Sequence, residues 1–423
     1  MRPRTGQHVV VVGGGLAGTR TVAALRDAGF DGRLTVIDRD PECDHDRPPL
    51  SKGFLTGTRS EADIRLPGAA ELDADRRLTT EVTGLSVRER ALRLGGGAWC
   101  GFDGLVIATG LRARPLPGLV RVPTIRSIHD ARRLRAALHG HTGRLVVIGG
   151  GFIGTEIAAS ARELGWQVVL VARESHPLAR ALGPAMGRFV TDLHRQHGVD
   201  VRDGQAAHEV ADTADGYQVR LTGGESIEAD LVVAAIGAIP NTEWLDDTEV
   251  LTDDGIHTDP HLRALDRTGA PSPGIVAAGD VARSPHHLFP TESIRVEHWS
   301  NATEHAKTAA ATLLADLTGS APAKRDAAVP SFWSDQYDQK ILAVGLPHLA
   351  DHAAVVEGHP SEGRFLIAYT REGQTVGAAG VGTTRSLARY RRAIATATQR
   401  ENPHQTSTHS GGPRAVATMQ EDA

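Results

Sequence analysis

Cysteine is nearly absent from this chain: of 423 residues, only Cys43 and Cys100 carry a thiol. They form no CxxC and no other closely spaced pair, which excludes a dithiol relay, a disulfide framework and a cysteine-based metal centre. Lysine is scarce as well. Only four of the 46 basic side chains are lysines, and one of them, Lys52, sits in "DRPPLSKGFL", fenced by prolines and a glycine. No apolar run approaches the roughly 18 residues that a membrane-spanning helix needs. The opening "MRPRTGQHVVVVGGG" passes straight into a strand, with glycines too early for a signal-peptide core, so the expected location is the cytoplasm. A net charge of −5 removes any general drive toward nucleic acid or an anionic membrane. The 20 histidines are scattered without metal-ligand spacing, and no metal is expected.

Glycine, by contrast, is abundant and placed at strand ends. The chain alternates short β-runs with amphipathic helices, the pattern of an α/β protein with parallel sheets. "HVVVVGGGLAGTRTVAALRDAGF" reads as strand, glycine turn and helix, and "GRLTVIDRD" as the next strand; "GRLVVIGGGFIGTEIAASARELGW" and "QVVLVARE" repeat the unit. Gly13, Gly15 and Gly18 form G-x-G-x-x-G in the first copy, and Gly149, Gly151 and Gly154 form it in the second. The first glycine permits the turn, the second admits a pyrophosphate to the backbone, and the third lets helix pack on strand. The helix N-terminus then offers N–H groups and a positive dipole to the diphosphate. Two such units imply two nucleotides held face to face, and hence hydride traffic between a nicotinamide and a flavin.

Asp38 ends the strand after the first motif, where a carboxylate grips ribose hydroxyls, with Arg39 its neighbour in that contact. The matching place in the second copy holds Ala172 and then Arg173. A carboxylate there would repel the 2′-phosphate of NADP and an arginine would welcome it, so the reading leans to NADPH, while Glu174 keeps NADH open. Three further strands, in "LVIATG", "DLVVAAIGAIPN" and "GIVAAGDVA", also run into glycine. From about Pro330 the pattern becomes period-2 with glycine turns, an antiparallel sheet, followed by a basic helix in "TRSLARYRRAIAT". Residues 401–423 are polar and rich in Ser, Thr, Gly and Pro, and are expected to be a disordered tail.

The two fingerprints, with "RPPLSK", "LVIATG", "AAIGAIPNTEWL", "GIVAAGDVA", "RVEHWSNA" and "PSFWSDQYDQKI", resemble the FAD-dependent ferredoxin reductases of bacterial oxygenase systems, in order from about Val9 to about Ala395. The resemblance implies a glutathione-reductase-like α/β build with two Rossmann-like domains and a C-terminal α+β domain. Its FAD domain would be discontinuous, residues 1–114 and 242–325, with an NAD(P) domain over 115–241, the C-terminal domain over 326–400 and a tail over 401–423. The implied cofactors are FAD and NADH or NADPH. The implied partner is an iron–sulfur ferredoxin that feeds a haem monooxygenase or Rieske-type oxygenase, and the protein would be a monomer or homodimer. Carried over residue by residue, the FAD contacts are Gly13, Gly15, Ala17, Gly18, Asp38, Arg39, Arg47, Lys52, Val82 (by its backbone, to adenine), Ala108, Thr109, Gly110, Arg126, Asp280 and Trp299. Those to the nicotinamide nucleotide are Gly149, Gly151, Ile153, Gly154, Glu156, Arg173 and Gly237. Many relatives have glycine then aspartate where this chain has Asp38 then Arg39, which leaves open which of the two touches the ribose.

Disulfide reductases of similar build relay electrons through a disulfide beside the flavin. Here the helix that would bear it begins "PPLSK", without cysteine. Hydride can reach a flavin but cannot continue as a dithiol, so electrons must leave one at a time, to an iron–sulfur or haem-like acceptor. The resemblance puts Lys52 at the flavin's N5 edge, where a fixed cation stabilises charge gained on reduction. It places Glu156, in the first turn of its helix, opposite Lys52 near the nicotinamide. Asp280 would hold FAD oxygens together with the N–H groups of a following helix, and Trp299, in an apolar strand, would shield the isoalloxazine. The basic runs "RSIHDARRLRAALHGHTGR" and "RYRR" read either as docking ground for an acidic ferredoxin or as solvated helix faces. Two other functions stand beside the reductase: a flavin-dependent peroxide or dioxygen reductase using Cys43, and a flavin-bearing redox-sensing binding protein.

Overall fold

Parallel strands covered on both faces read as unbroken apolar runs. "VVVV" (Val9–Val12) and "LVVI" (Leu145–Ile148) are such runs, and both become inner strands of parallel sheets. The structure, a computed structural model, describes residues 6–69, 71–116, 122–286, 289–321 and 328–400; the expected tail lies outside the described residues.

The first sheet has the strand order Arg263–Leu265, Pro271–Ala277, Gly104–Ile107, His8–Val12, Arg33–Ile37, Asp75–Arg77. All neighbours are parallel except the first pair. It is therefore assembled from two stretches far apart in sequence. Helices Leu16–Asp27 and Trp299–Thr318 cover one face through Val22, Leu25, Ala309 and Leu313. A small antiparallel sheet over Val82–Ser86, Ala91–Leu94 and Trp99–Gly101 closes the other through Leu85, Leu92 and Cys100.

The second sheet is wholly parallel, in the order Asp200–Asp203, Gln167–Ala172, Arg144–Ile148, Leu231–Ala234. The chain enters and leaves this unit along two short strands, Leu111–Ala113 and Ala238–Pro240, paired antiparallel. Asn241 ties the crossing: its backbone N–H donates to Gly110 O at 3.0 Å and its side-chain amide to Thr109 O at 2.8 Å.

The C-terminal stretch forms the expected antiparallel sheet, five strands in the order Ser331–Gln336, Gln339–Gly345, Gln374–Val381, Arg364–Arg371, His352–His359. The basic helix Thr384–Arg400 packs on it through Leu387 and Ile394. Its other face holds helix Ala179–Gln196 of the second unit, with Leu182, Met186 and Val190 against Phe365, Ile367 and Tyr369. Among the described residues no helix is long and apolar enough to cross a membrane.

Candidate active site

The two glycine turns are built alike. Gly13 N–H donates to Ile37 O and Gly149 N–H to Val171 O, both at 2.8 Å. Their φ values, +108° and +124°, lie where only glycine is unstrained, and a Cβ on either would collide with a facing carbonyl oxygen, of Ala108 or Ala235. Gly18 and Gly154 pack so closely that a Cβ would strike the carbonyl of Gly13 or Gly149. The turns differ at the next strand end. Asp38 Oδ2 accepts Gly14 N–H at 2.7 Å, and its Oδ1 accepts Asp40 N–H at 2.8 Å. Ala172 is buried and presents only a methyl group to Gly150. Arg173 is exposed, 3.6 Å from the Glu174 carboxylate.

A cleft opens where the first turn, the second unit and the C-terminal sheet meet. Helix Leu16–Asp27 points its N-terminal turn into it. Two guanidiniums stand close by. Arg126 is tied down, donating to Asp280 Oδ2 at 2.9 Å and to Leu111 O at 3.2 Å. Arg47 has its guanidinium open to the cleft between Gly15 and Gly110, and that guanidinium makes no hydrogen bond or salt bridge among the described residues. The Arg126 charge beside it pulls its pKa down to about 10. A cation crowded by a second cation at a helix N-terminus is a site prepared for an anion. Phe332, Trp299 and Trp333 add a flat apolar wall. This lining fits FAD: a diphosphate for the guanidiniums and glycine turn, a ring system for the aromatic side.

Across the cleft runs an ion pair. Pro48–Ser51 forms one 3-10 turn, and Lys52 breaks from it before the next turn, Gly53–Thr56. Lys52 Nζ then lies 2.7 Å from Glu156 Oε2, the two side chains being 16% and 5% exposed. Ser51 Oγ donates to the same oxygen at 2.5 Å and Ser334 Oγ to Oε1 at 2.7 Å. Desolvation of a buried pair is offset only when such extra donors satisfy the remaining lone pairs. Beside it, Trp299 Nε1 donates to Asp46 Oδ1 at 3.0 Å. Burial pushes the Asp46 carboxyl up, against the effect of that bond. Burial also pushes His298 down to about 4, and its Nδ1 has no partner among the described residues.

Fourteen of the expected site residues line this cleft: Gly13, Gly15, Ala17, Asp38, Arg47, Lys52, Ala108, Thr109, Gly110, Arg126, Ile153, Glu156, Asp280 and Trp299. Others do not. Arg39 is exposed, Val82 is buried in the core of the first unit, and Gly149, Gly151, Arg173 and Gly237 belong to the second turn and its surroundings. Three local expectations need correcting. Asp280 is followed not by a helix but by strand Ala282–His286, and its carboxylate partner is Arg126. Trp299 does not lie in a strand; it opens helix Trp299–Thr318. Glu156 is the fifth residue of helix Phe152–Glu163, one turn further in than expected. The first basic run is largely engaged internally, Arg132 being held by Glu42 at 2.6 Å and Glu61 at 2.5 Å. Sequence reasoning passed over Ser51, His298, Phe332 and Ser334. The signal for Ser334 was the polar pair Ser334 and Gln336, two apart in a strand and so on one face.

Two dinucleotide folds of one design, meeting at a cleft crossed by an ammonium–carboxylate pair and lined by no cysteine, define a flavin oxidoreductase that works with two nucleotides. Residues 7–306 match the pyridine nucleotide-disulphide oxidoreductase family and residues 331–408 the reductase C-terminal family. The ferredoxin–NAD(+) reductase component of an anthranilate 1,2-dioxygenase system from Burkholderia cepacia is 35% identical, covering 91% of this chain and 93% of its own length. Putidaredoxin reductase from Pseudomonas putida is also 35% identical, over 86% and 85% of the two chains. The reductase in a crystal structure of a covalent putidaredoxin reductase–putidaredoxin complex matches with a TM-score of 0.84 and 31% identity, over 93% of this chain and 94% of that one. The chain belongs to the pyridine nucleotide-disulphide oxidoreductase family, as an enzyme whose cofactors are FAD and a nicotinamide nucleotide.

Proposed function

We propose that this chain takes a hydride from NAD(P)H and delivers single electrons to an iron–sulfur ferredoxin that supplies a haem monooxygenase or a Rieske-type oxygenase. The observation that carries this reading is the Lys52–Glu156 pair in a cleft without a thiol. When bound, FAD accepts a hydride and releases its two electrons one at a time. The chain's own residues bind and orient. Arg47, Arg126 and the first glycine turn hold a diphosphate, Trp299 and Trp333 keep water from the aromatic side, and Lys52 holds a positive charge where negative charge develops. Glu156 keeps that ammonium in place. The names of the similar reductases, which act with ferredoxins in dioxygenase and putidaredoxin systems, support the acceptor class.

We further infer a division into an FAD domain of residues 1–114 and 242–325, an NAD(P) domain of 115–241 and a C-terminal domain of 326–400. The paired crossing strands and the mixed origin of the first sheet support it. NADPH is the favoured donor, because Ala172 leaves no carboxylate at the second strand end and Arg173 is exposed beside it. An acidic ferredoxin would dock by the exposed arginines of helix Thr384–Arg400, among them Arg385, Arg389 and Arg392. The Cys43 route has no such support: burial first, then the Asp38 charge, pushes its thiol up to about 12, and it does not line the cleft.

The test is steady-state reduction of a panel of ferredoxins by the FAD-loaded protein, with NADH and NADPH in parallel. Turnover above roughly 1 s⁻¹ with at least one ferredoxin is expected. Hydride transfer to flavin without any ferredoxin reduction would sink the proposal.

A further inference from the structure

Between the second unit and the C-terminal sheet runs a buried polar chain that ends on Glu156 and whose other members have no part in the reaction proposed above. Burying a polar side chain is costly unless it is hydrogen-bonded. Thr155, Glu156, His194, Ser334 and Gln336 are each 4% exposed or less, and they come from three separate elements: helix Phe152–Glu163, helix Ala179–Gln196 and strand Ser331–Gln336.

Their hydrogen-bond directions are determined. Thr155 Oγ1 donates to the carbonyls of Gly151 and Phe152 in its own helix, at 3.1 and 3.0 Å, so it accepts from Gln336 Nε2, at 2.9 Å. The second N–H of that amide goes to Ser334 Oγ at 3.2 Å. Gln336 Oε1 must then accept from His194 Nε2, at 3.0 Å, which fixes the Nε2–H tautomer and leaves Nδ1 to accept the Tyr337 hydroxyl, also at 3.0 Å. Ser334 donates to Glu156 Oε1 at 2.7 Å. One unbroken line of donors thus runs from Tyr337 through His194, Gln336 and Ser334 to the carboxylate, with Thr155 as a side branch. Burial pushes His194 down to about 4, so the imidazole stays neutral near neutral pH and the direction does not reverse. At the outer end the half-buried Tyr337 ring stacks on His197, 3.7 Å between centroids and 8° from parallel.

We propose that Ser334, Gln336 and His194 are positioning residues for the Lys52–Glu156 pair: they hold one oxygen of the carboxylate so that the other is presented to Lys52 and Ser51. The inference rests on the role given above to that pair. Through it the C-terminal sheet sets the geometry of a site built mainly by the two nucleotide folds.

The test uses the full FAD-loaded chain and two readouts: the rate of flavin reduction by nicotinamide nucleotide in rapid mixing, and the visible absorption spectrum of the oxidised bound flavin. Ser334→Ala is expected to slow hydride transfer about tenfold, with nucleotide affinity changed less than about twofold, and to shift the flavin band. Ser334→Thr, which keeps the hydroxyl, restores both. In a Glu156→Gln background, Ser334→Ala adds nothing further, because the chain acts only through that carboxylate. Tyr337→Phe keeps the ring and moves both readouts in the same direction by less, and it carries the test should Ser334→Ala not fold. A wild-type rate in Glu156→Gln overturns the role of the pair, and this inference with it. A slow Glu156→Gln beside wild-type rates in Ser334→Ala and Tyr337→Phe overturns this inference alone, as does a Ser334→Ala effect that multiplies with that of Glu156→Gln.

Discussion

Arg47 and Lys52 are five residues apart and meet opposite surroundings. Arg47 faces another arginine in the cleft, while Lys52 is paired with Glu156. A planar guanidinium suits the first task, bidentate to phosphate, and a compact ammonium suits the second. Replacing Lys52 with Met should leave FAD bound, since the proposed diphosphate site lies at Arg47, Arg126 and the first glycine turn, yet slow flavin reduction on the order of 100-fold. Rapid-mixing spectra check this, and an unchanged rate would remove Lys52 from the chemistry. Nucleotide choice also turns on one residue. Asp38 shows that a carboxylate fits at this strand end, accepting the N–H of Gly14. Ala172→Asp would recreate that arrangement under Gly150, and the NADPH-to-NADH ratio of kcat/KM should fall about tenfold, or about 1.4 kcal/mol. A ratio that stays put would refute the reading of Ala172. Lys52 was legible in the sequence because it interrupts a pattern, a lysine in an arginine-rich chain; Ala172 interrupts another, an alanine where an acid is expected, and the ratio above tests what that means.

At the scale of elements, the duplicated glycine turns carried the most information, because steric demands on glycine are local and survive any tertiary context. Alanine substitutions should separate their two duties. Gly13→Ala places a Cβ against the Ala108 carbonyl at a positive φ, so the protein should purify without flavin and melt lower than the parent. A Cβ on Gly151 meets nothing within 4 Å, at an ordinary negative φ, so Gly151→Ala should melt like the parent. Its effect should be confined to a raised KM for the nicotinamide nucleotide, whose pyrophosphate would approach there under the proposed assignment of the second turn. Loss of flavin from Gly151→Ala would show that the two turns had been assigned the wrong way round. Less local features escaped the sequence. After Gly279-Asp280 the residues alternate between buried and half-buried, Ala282, Ser284 and His286 turning inward, so a strand forms where a helix was expected. The two-residue spacing of Ser334 and Gln336 puts them on one face of a strand, but serine and glutamine in that pattern do not say which partner they meet. Only the pleat of Ser331–Gln336, docked against helix Phe152–Glu163, turns Ser334 and Gln336 into donors.

The described residues form three layered units, and a sequence shows each unit's faces but not which faces meet. His194 marks one joint and His298 another, and both titrate abnormally for the same reason: burial pushes each from about 6.5 down to about 4. Between those values the unfolded chain binds more protons than the folded one, so stability rises with pH across the window and falls as acid is added. The contribution is absent above the unfolded value and reaches its full, destabilising size below the folded one. Asp46 acts with the opposite sign, since burial raises its carboxyl and the folded state then holds its proton more tightly. Glu42, held down to about 2 by Arg132, adds a loss only at lower pH, once carboxylates of ordinary affinity have begun to protonate. The early part of acid destabilisation therefore belongs to the histidines. Going from about pH 7 to pH 5, His194 alone should cost about 2 kcal/mol of unfolding free energy. Urea unfolding at the two pH values, in the parent and in His194→Asn, isolates that share. The variant should be less stable near pH 7, having lost its bonds to Gln336 and Tyr337, and should decline less steeply toward pH 5. If the two proteins decline in parallel, His194 takes up its proton as readily folded as unfolded, and the joint between the second unit and the C-terminal sheet is open to water.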